Sequence, residues 1–399
     1  MYSCFLKAKD AMAKNYHQVI RNSKQIPLWV ESPIAEDPDY LTKQLITYIG
    51  NKRALLGHIG IAVERVKQRL GKSKLRVADL FSGSGVISRY LKAHASLLIS
   101  NDIEDYAAVI SRCYLRNRST VDFRALSEIV SELNAKVTDE LFAPGFIEEL
   151  YAPRDEANIT REDRVFYTRE NARRIDNYRR LIEQVPSEMK DLLLGPLLSE
   201  ASVHANTAGV FKGFYKNRLT GVGQFGGSGS DALTRILGRI VLEVPVLSLF
   251  ECEYEVFQED ANALARKLRG LDLVYIDPPY NQHPYGSNYF MLNLIVCYQR
   301  PAHISRVSGI PADWRRSGYN VKNQALPLLR DLLYSIDASF LLVSFNNEGF
   351  IPPEIMRRTL NELGPVEVIE LPYNAFRGSR NFNNRSIHVT EYLFLVERR

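Results

Sequence analysis

Residues 271–276, Leu-Asp-Leu-Val-Tyr-Ile, run directly into Asp277, Pro278, Pro279 and Tyr280. An apolar run of this length reads as a strand buried on both faces, which requires a parallel sheet covered by helices. The two prolines stop the strand, because each fixes φ and lacks an amide proton. The chain is thereby committed to an α/β sheet with a carboxylate at one strand end, at the edge where such sheets bind ligands. The tetrad suits an exocyclic amine on a planar ring. Asp277 accepts one N–H, a backbone carbonyl held still by the prolines accepts the other, and Tyr280 stacks on the ring. Four residues also match by chance, so a strand end followed by a stiff turn is the rival explanation.

The rest of the sequence extends the α/β pattern. Leu55, Ile59, Val63, Val66 and Leu70 predict an amphipathic helix over 53–70, closed by Gly71. A strand at 75–81, a glycine turn, a helix at 86–93, a strand at 96–101 and a helix marked by Tyr106, Val109, Ile110 and Cys113 follow. Alternation resumes with strands at 254–258, 271–276, 339–345, 366–370 and 390–397, and helices at 288–299, 321–334 and 352–363. No helix separates the last two strands, which leaves them able to pair antiparallel.

Between these halves the pattern lapses. Helices are predicted at 122–141, 171–183, 188–203 and 231–242, and residues 221–230 (GVGQFGGSGS) read as a mobile loop. Seven arginines between Arg161 and Arg180 make that stretch basic. Four segments result: an N-terminal arm at 1–40 with a helix near 5–20, a cofactor half at 41–117, an inserted, mostly helical block at 118–245, and a catalytic half at 246–399.

Composition sets few further limits. Hydrophobic residues are 45% and charged residues 24% of the 399, as in a globular protein with a substantial core. The net charge of +5 permits a polyanionic partner without requiring one. Cys4, Cys113, Cys252 and Cys297 form no CxxC pair, and the histidines show no HxxxH or HExxH spacing, so metal-free chemistry is expected. No apolar run approaches the roughly 18 residues that span a bilayer, and no signal-like segment opens the sequence.

The first strand ends in Asp79-Leu80-Phe81-Ser82-Gly83-Ser84-Gly85. Glycines here let the backbone turn sharply and approach a ligand. Asp102 ends the next strand 19 residues beyond Gly83, the spacing at which an acidic group binds ribose hydroxyls. The turn lacks both the full GxGxxG fingerprint and a GxxxxGK[ST] loop, which weakens a nicotinamide or nucleotide-triphosphate reading. Asp79 either caps the turn or binds a ligand ammonium.

An FxGxG turn, an acidic strand end and a later DPPY resemble, in that order, the alpha or D12 class of N6-adenine-specific DNA methyltransferases, in its FokI-methylase-like branch. Tyr48-Ile49-Gly50-Asn51-Lys52, residues 203–216 (VHANTAGVFKGFYK), residues 281–289 (NQHPYGSNY), residues 344–349 (SFNNEG) and EYLF at 391–394 extend the resemblance over roughly 41–116 and 200–399. Phe345 stands where the family more often has tyrosine.

The resemblance implies a Rossmann-like mixed sheet flanked by helices, with S-adenosyl-L-methionine as methyl donor. Tyr48 and Lys52 would contact the donor's amino-acid end, and Phe81, Gly83 and Gly85 would line the turn. Asp102 would hold the ribose, and Asp260 with Ala261 the donor adenine. Lys52 taken alone is an ordinary solvated lysine, and Asp260 an ordinary helix N-cap. Asp277 and the Pro278 carbonyl would bind the target amine, with Tyr280 stacked on a base flipped from the duplex. Tyr285, Asn288 and Tyr289 would support that base, although Tyr289 fits a helix core face equally well. Lys212, Lys216, Arg218 and the arginines at 161–180 would meet phosphates. An ordinary aspartate, with a pKa of about 3.9, is too weak a base to deprotonate the neutral amine, so the proton leaves after attack.

Site-specific methylation of adenine in double-stranded DNA follows as the implied function, within a restriction–modification system and beside a separate cognate endonuclease in a prokaryotic cytoplasm. An RNA adenine methyltransferase, a protein-amide methylase and a non-catalytic DNA-specificity subunit are the alternatives. The recognition sequence and oligomeric state have no signature in the chain.

Overall fold

In the computed structural model, residues 36–137, 144–227, 232–374 and 388–398 are described. The arm at 1–35, with its expected helix, lies outside them. The strands are β1 (Leu75–Asp79), β2 (Ala95–Asn101), β3 (Glu253–Phe257), β4 (Leu271–Ile276), β5 (Ala338–Asn346), β6 (Val366–Asn374) and β7 (His388–Glu397). They form one sheet in the order β3-β2-β1-β4-β5-β7-β6. The first five are parallel to one another, and β7 runs antiparallel between β5 and β6. The last two strands therefore pair as their missing crossover allows.

Helices cover both faces: α1 (Leu56–Leu70), α2 (Val86–Lys92), α3 (Asp105–Tyr114), α4 (Phe123–Lys136), α5 (Phe146–Tyr151), α6 (Arg169–Ile182), α7 (Ser187–Val203), α8 (Ala261–Ala265), α9 (Phe290–Cys297), α10 (Lys322–Ser335) and α11 (Pro353–Asn361). All six residues of β4 are buried, as its apolar run requires. Successive side chains serve opposite faces. Leu273 and Tyr275 join Ile59, Val63 and Val66 of α1, whereas Val274 and Ile276 join Leu264 of α8, Leu332 and Leu333 of α10 and Leu360 of α11. Residues of α4, α6 and α7 share a third cluster with Tyr106, Val109 and Ile110 of α3 and Phe290 to Leu292 of α9.

β1 and β4 are central neighbours whose onward connections leave in opposite directions, to β2 and to β5. A crevice at the carboxyl ends of two such strands is where open α/β sheets place their ligands. Leu80 N donates to Tyr275 O at 3.3 Å, so the glycine turn and the DPPY tetrad begin side by side.

Two local predictions are corrected. The helix over 231–242 is a single turn, Leu233–Leu237, followed by extended chain. Two asparagines, the buried Asn171 and the half-buried Asn134, stand in for the missing strand partner. Asn171 bonds Gly238 O and Ile240 N, and Asn134 bonds both backbone groups of Leu242. The loop at 221–230 is fixed through Gly227: Asn206 accepts from Gly226 N and donates to Gln224 O and Val165 O. Gly223 is needed for packing, because a Cβ there would lie 2.4 Å from Val165. Residues 228–231 lie outside the described ones. The short helix α5 has no counterpart in the sequence reading.

Among the described residues, no helix is long and apolar enough to cross a membrane, and no group of three or more His, Cys, Asp or Glu could hold a metal ion.

Candidate active site

The glycine turn owes its shape to Gly83 (φ 50°) and Gly85 (φ 74°), both in the left-handed region. Ser82 N donates to Asn101 O at 2.9 Å, and Gly85 N donates to Ser82 O at 2.7 Å. The Asp102 carboxylate ties this turn to its own loop, accepting from Gly83 N (2.8 Å) with one oxygen and Glu104 N (3.0 Å) with the other. A Cβ on Gly83 would lie 2.6 Å from the Tyr48 hydroxyl, so the glycine is also what lets Tyr48 close over the turn.

Asp79 is wholly buried beneath that turn. Its Oδ2 accepts from Ser88 at 2.7 Å, and its Oδ1 has no hydrogen-bond partner. Burial pushes its pKa up to about 7, against the Ser88 hydrogen bond. Asp79 does not line the cavity, so the structure favours a buried supporting role over contact with a ligand ammonium.

A cavity of about 700 Å³, counted out to its open mouth, joins the two halves of the site. Phe81, Asp102, Asp260 and Ala261 line one part, and Asp277, Pro279 and Tyr285 another, with Tyr48 also in the wall. Asp260 keeps its ordinary role as well, capping α8 through Ala263 N at 3.0 Å. The sequence reading missed Ile103, Glu104, Arg315, Ser317, Tyr319 and Asn320, which also line this space. Tyr319 braces Phe81 edge-on at 5.5 Å and donates to Asn262 at 2.7 Å. Burial raises Glu104 to about 7, opposed by a hydrogen bond from Asn293. The loop around 313–320 had no motif to announce it; only its place in the fold brings it here.

On the other side Asp277 caps β4. Its Oδ1 is buried without a hydrogen bond and has the Lys52 ammonium 3.4 Å away. Burial pushes Asp277 up to about 7, with Lys52 opposing the rise and Glu391 adding to it. This corrects the assumption of an ordinary, weakly basic carboxylate. Pro278 is buried behind it. Tyr280 is fixed by Phe350 N, which donates to its carbonyl at 2.8 Å, and by Phe345 packed edge-on at 5.2 Å. Phe345 is itself 2% exposed and serves as packing, where a phenol is not required.

Two further expectations are corrected. Lys52 does not reach the cavity wall. It is 3% exposed, and its ammonium pairs with Asp277 and with Glu391 at 3.2 Å. Burial alone would lower its pKa, but Asp277, Tyr280 and Glu391 outweigh burial and hold it well above the usual lysine range. Tyr289 is buried and Asn288 nearly so, and neither lines the cavity. Ile49 N donates to the Tyr289 hydroxyl at 2.8 Å, and the Tyr289 ring stacks on Tyr48 at 4.9 Å, so it positions Tyr48 from behind. Tyr285 stacks on Tyr48 at 5.1 Å from the cavity side.

The basic residues fall into two groups. Arg169 and Arg173 pair with Glu148, Arg174 with Glu170, and Arg179 with Glu183, while Arg161, Arg164 and Arg180 bond backbone carbonyls. The arginines of this segment are thus engaged within the helical block, by carboxylates or backbone carbonyls. Lys216 and Arg218 instead sit on a tight turn, closed by the Lys216–Gly223 bridge, and Lys212 is exposed just before it. Leu219 at the tip is 96% exposed.

A glycine turn, the acidic end of β2 and the carboxylate at the end of β4 meet beside one crevice at the switch point of an α/β sheet, the place where such folds bind ligands. The family model for D12 class N6 adenine-specific DNA methyltransferase matches residues 48–335. The type II methyltransferase M.NlaIII of Neisseria lactamica is 27% identical over 361 residues, covering 88% of this chain and 99% of its own. M.CviAII of Paramecium bursaria Chlorella virus 1 is 28% identical, with 88% and 98% covered. M.FokI of Planomicrobium okeanokoites is 25% identical, and the chain spans 52% of its length. The chain belongs to the D12 class of N6 adenine-specific DNA methyltransferases. It is therefore a methyl-donor-dependent enzyme acting on adenine in DNA.

Proposed function

We propose that the protein transfers a methyl group from S-adenosyl-L-methionine to N6 of an adenine flipped out of duplex DNA, at a defined sequence, as the modification enzyme of a restriction–modification system. The observation that carries this reading is that Asp277, at the end of β4, lines one cavity with Asp102 and Phe81. The donor set fits such a cofactor. Asp102 spends one backbone N–H on each oxygen and retains lone pairs for two ribose hydroxyls. Ile103, Phe81 and Tyr319 offer apolar and aromatic walls for an adenine ring, with Asp260 at its edge.

When bound, the donor supplies a methyl carbon made electrophilic by its sulfonium. Asp277 accepts one N–H of the target amine and the Pro278 carbonyl the other, which turns the nitrogen lone pair toward that carbon. Tyr280 holds the ring plane. Positioning of this kind supplies much of the acceleration. Once the nitrogen is cationic it must lose a proton, and Asp277, held near neutrality, accepts it.

The pH dependence follows. The active form of Asp277 is the carboxylate, so single-turnover methyl transfer is expected to fall about tenfold per pH unit below about 7. A flat profile between pH 5 and 8 would remove Asp277 from the role of proton acceptor.

DNA engagement is assigned to the 118–245 block, with Lys212, Lys216 and Arg218 meeting phosphates. Leu219, exposed at the tip of the same turn, is an apolar wedge of the kind that parts base steps. Replacing both Lys216 and Arg218 by alanine leaves that wedge in place. The slope of log affinity against log salt is expected to become shallower by about 2, because each phosphate no longer neutralised removes about 0.9 from it. An unchanged slope would place the DNA elsewhere. Labelled donor supplied with duplex DNA, RNA and protein tests the substrate class, and label confined to RNA or protein would overturn it.

A further inference from the structure

Glu391 opens the EYLF tetrad at 391–394 and has no part in the roles assigned so far. It is 2% exposed and enters the site from β7, directly opposite Asn346 at the end of β5. Asn346 Nδ2 lies 3.4 Å from its Oε1, and Asn346 Oδ1 is itself fixed by Glu348 N at 3.0 Å. The other oxygen, Oε2, accepts a hydrogen bond from Lys52 at 3.2 Å. Lys52 thus faces two buried carboxylates and divides itself unequally. Its directed hydrogen bond goes to Glu391, whereas Asp277 Oδ1, at 3.4 Å, has the charge beside it but no hydrogen bond.

The geometry points to Glu391 as a positioning residue for methyl transfer, anchoring the Lys52 ammonium so that it stands beside Asp277 without being drawn fully onto it. An ammonium facing Asp277 alone would be drawn onto it, because opposite charges in a water-poor site attract strongly. The Asp277 carboxylate would then be a poorer hydrogen-bond acceptor and a weaker base toward the amine proton, although lone pairs would remain. Glu391 supplies a competing anion on a strand that cannot move independently of the sheet. The remaining ionisable neighbours of Asp277 are Asp79 from β1, Tyr275 on its own strand, and Tyr280 and Tyr285 on the following segment. Lys52 is the cation among these groups, so its placement decides how free Asp277 is.

This inference rests on the role given above to Asp277, and the test separates the two. Full-length Glu391→Gln is assayed beside wild type for single-turnover transfer from labelled S-adenosyl-L-methionine to unmethylated genomic duplex DNA across pH 5–9. With the competing anion gone, Lys52 moves onto Asp277. The acid limb is expected to shift down by about one pH unit and the plateau rate to fall about tenfold, with donor affinity within twofold of wild type. An unmoved limb, or a fall in rate matched by a fall in donor affinity, overturns the inference; so does a lower melting temperature as the sole effect. If Glu391→Gln does not fold, Glu391→Asp keeps the charge but withdraws it by one methylene. The same downward shift, smaller in size, is then expected, and its absence is equally decisive. Asp277→Asn is the control. If it retains activity and the acid limb, the assignment of Asp277 fails along with everything built on it. If it is inactive and Glu391→Gln leaves the limb in place, only the role of Glu391 falls.

Discussion

Asp277→Ala is expected to lower methyl transfer by about 10³-fold while leaving donor affinity nearly unchanged. Losses of this size accompany removal of a group that both orients the reacting atom and handles its proton. Donor binding is expected to survive because Phe81, Asp102 and Asp260 line the cavity from other loops. Removing the carboxylate also leaves Lys52 with Glu391 as its one remaining carboxylate partner. The ion pair stays balanced, so a folded, donor-binding, inactive protein is the expected product. Labelled-methyl incorporation into duplex DNA and a calorimetric donor titration report the two halves separately. Turnover within tenfold of wild type would mean that another group holds the amine.

Asp102→Ala should show the converse pattern, with donor affinity lowered about 100-fold and transfer at saturating donor within a few-fold of normal. The carboxylate is the acceptor for Gly83 N and Glu104 N, at 2.8 and 3.0 Å. Its loss deprives the donor of its ribose acceptor and frees the two segments it ties together. Leaving such groups unsatisfied costs about 1–3 kcal/mol each, and about 2.7 kcal/mol corresponds to about 100-fold in affinity. Asp102→Asn retains one acceptor oxygen, so an intermediate loss of about tenfold is expected. Equal donor affinity in all three proteins would exclude Asp102 from the donor site.

These expectations depend on residues whose importance the sequence reveals unevenly. The placement of Asp277 and Asp102 beside one cavity was legible because each follows an apolar strand, and the carboxyl ends of parallel strands lie at one edge of the sheet. The buried run at β4 was legible to the residue for the same reason. Lys52 was found through a motif, but its burial between two carboxylates was not. No spacing rule connects it to Glu391, which lies 339 positions away in the chain and reaches the site through the β5–β7 pairing. The cavity wall at 315–320 was missed because it is irregular and polar. The arginines of 161–180 look like a phosphate surface in one dimension. In three, Glu148, Glu170 and Glu183 engage four of them and backbone carbonyls the rest. The extended chain after Leu237 was read as helix because the asparagine amides that bond it, Asn134 and Asn171, come from distant helices.

The position of β7 has a consequence for biosynthesis. Because it is threaded between β5 and β6, the sheet cannot be closed by adding strands in the order of synthesis. A nascent chain that has not reached His388 leaves β5 with an open edge and Lys52 without its Glu391 counter-ion. Strands β1 to β4 can pair before that point, and with the role proposed for Glu391, methylation waits until those late residues have emerged.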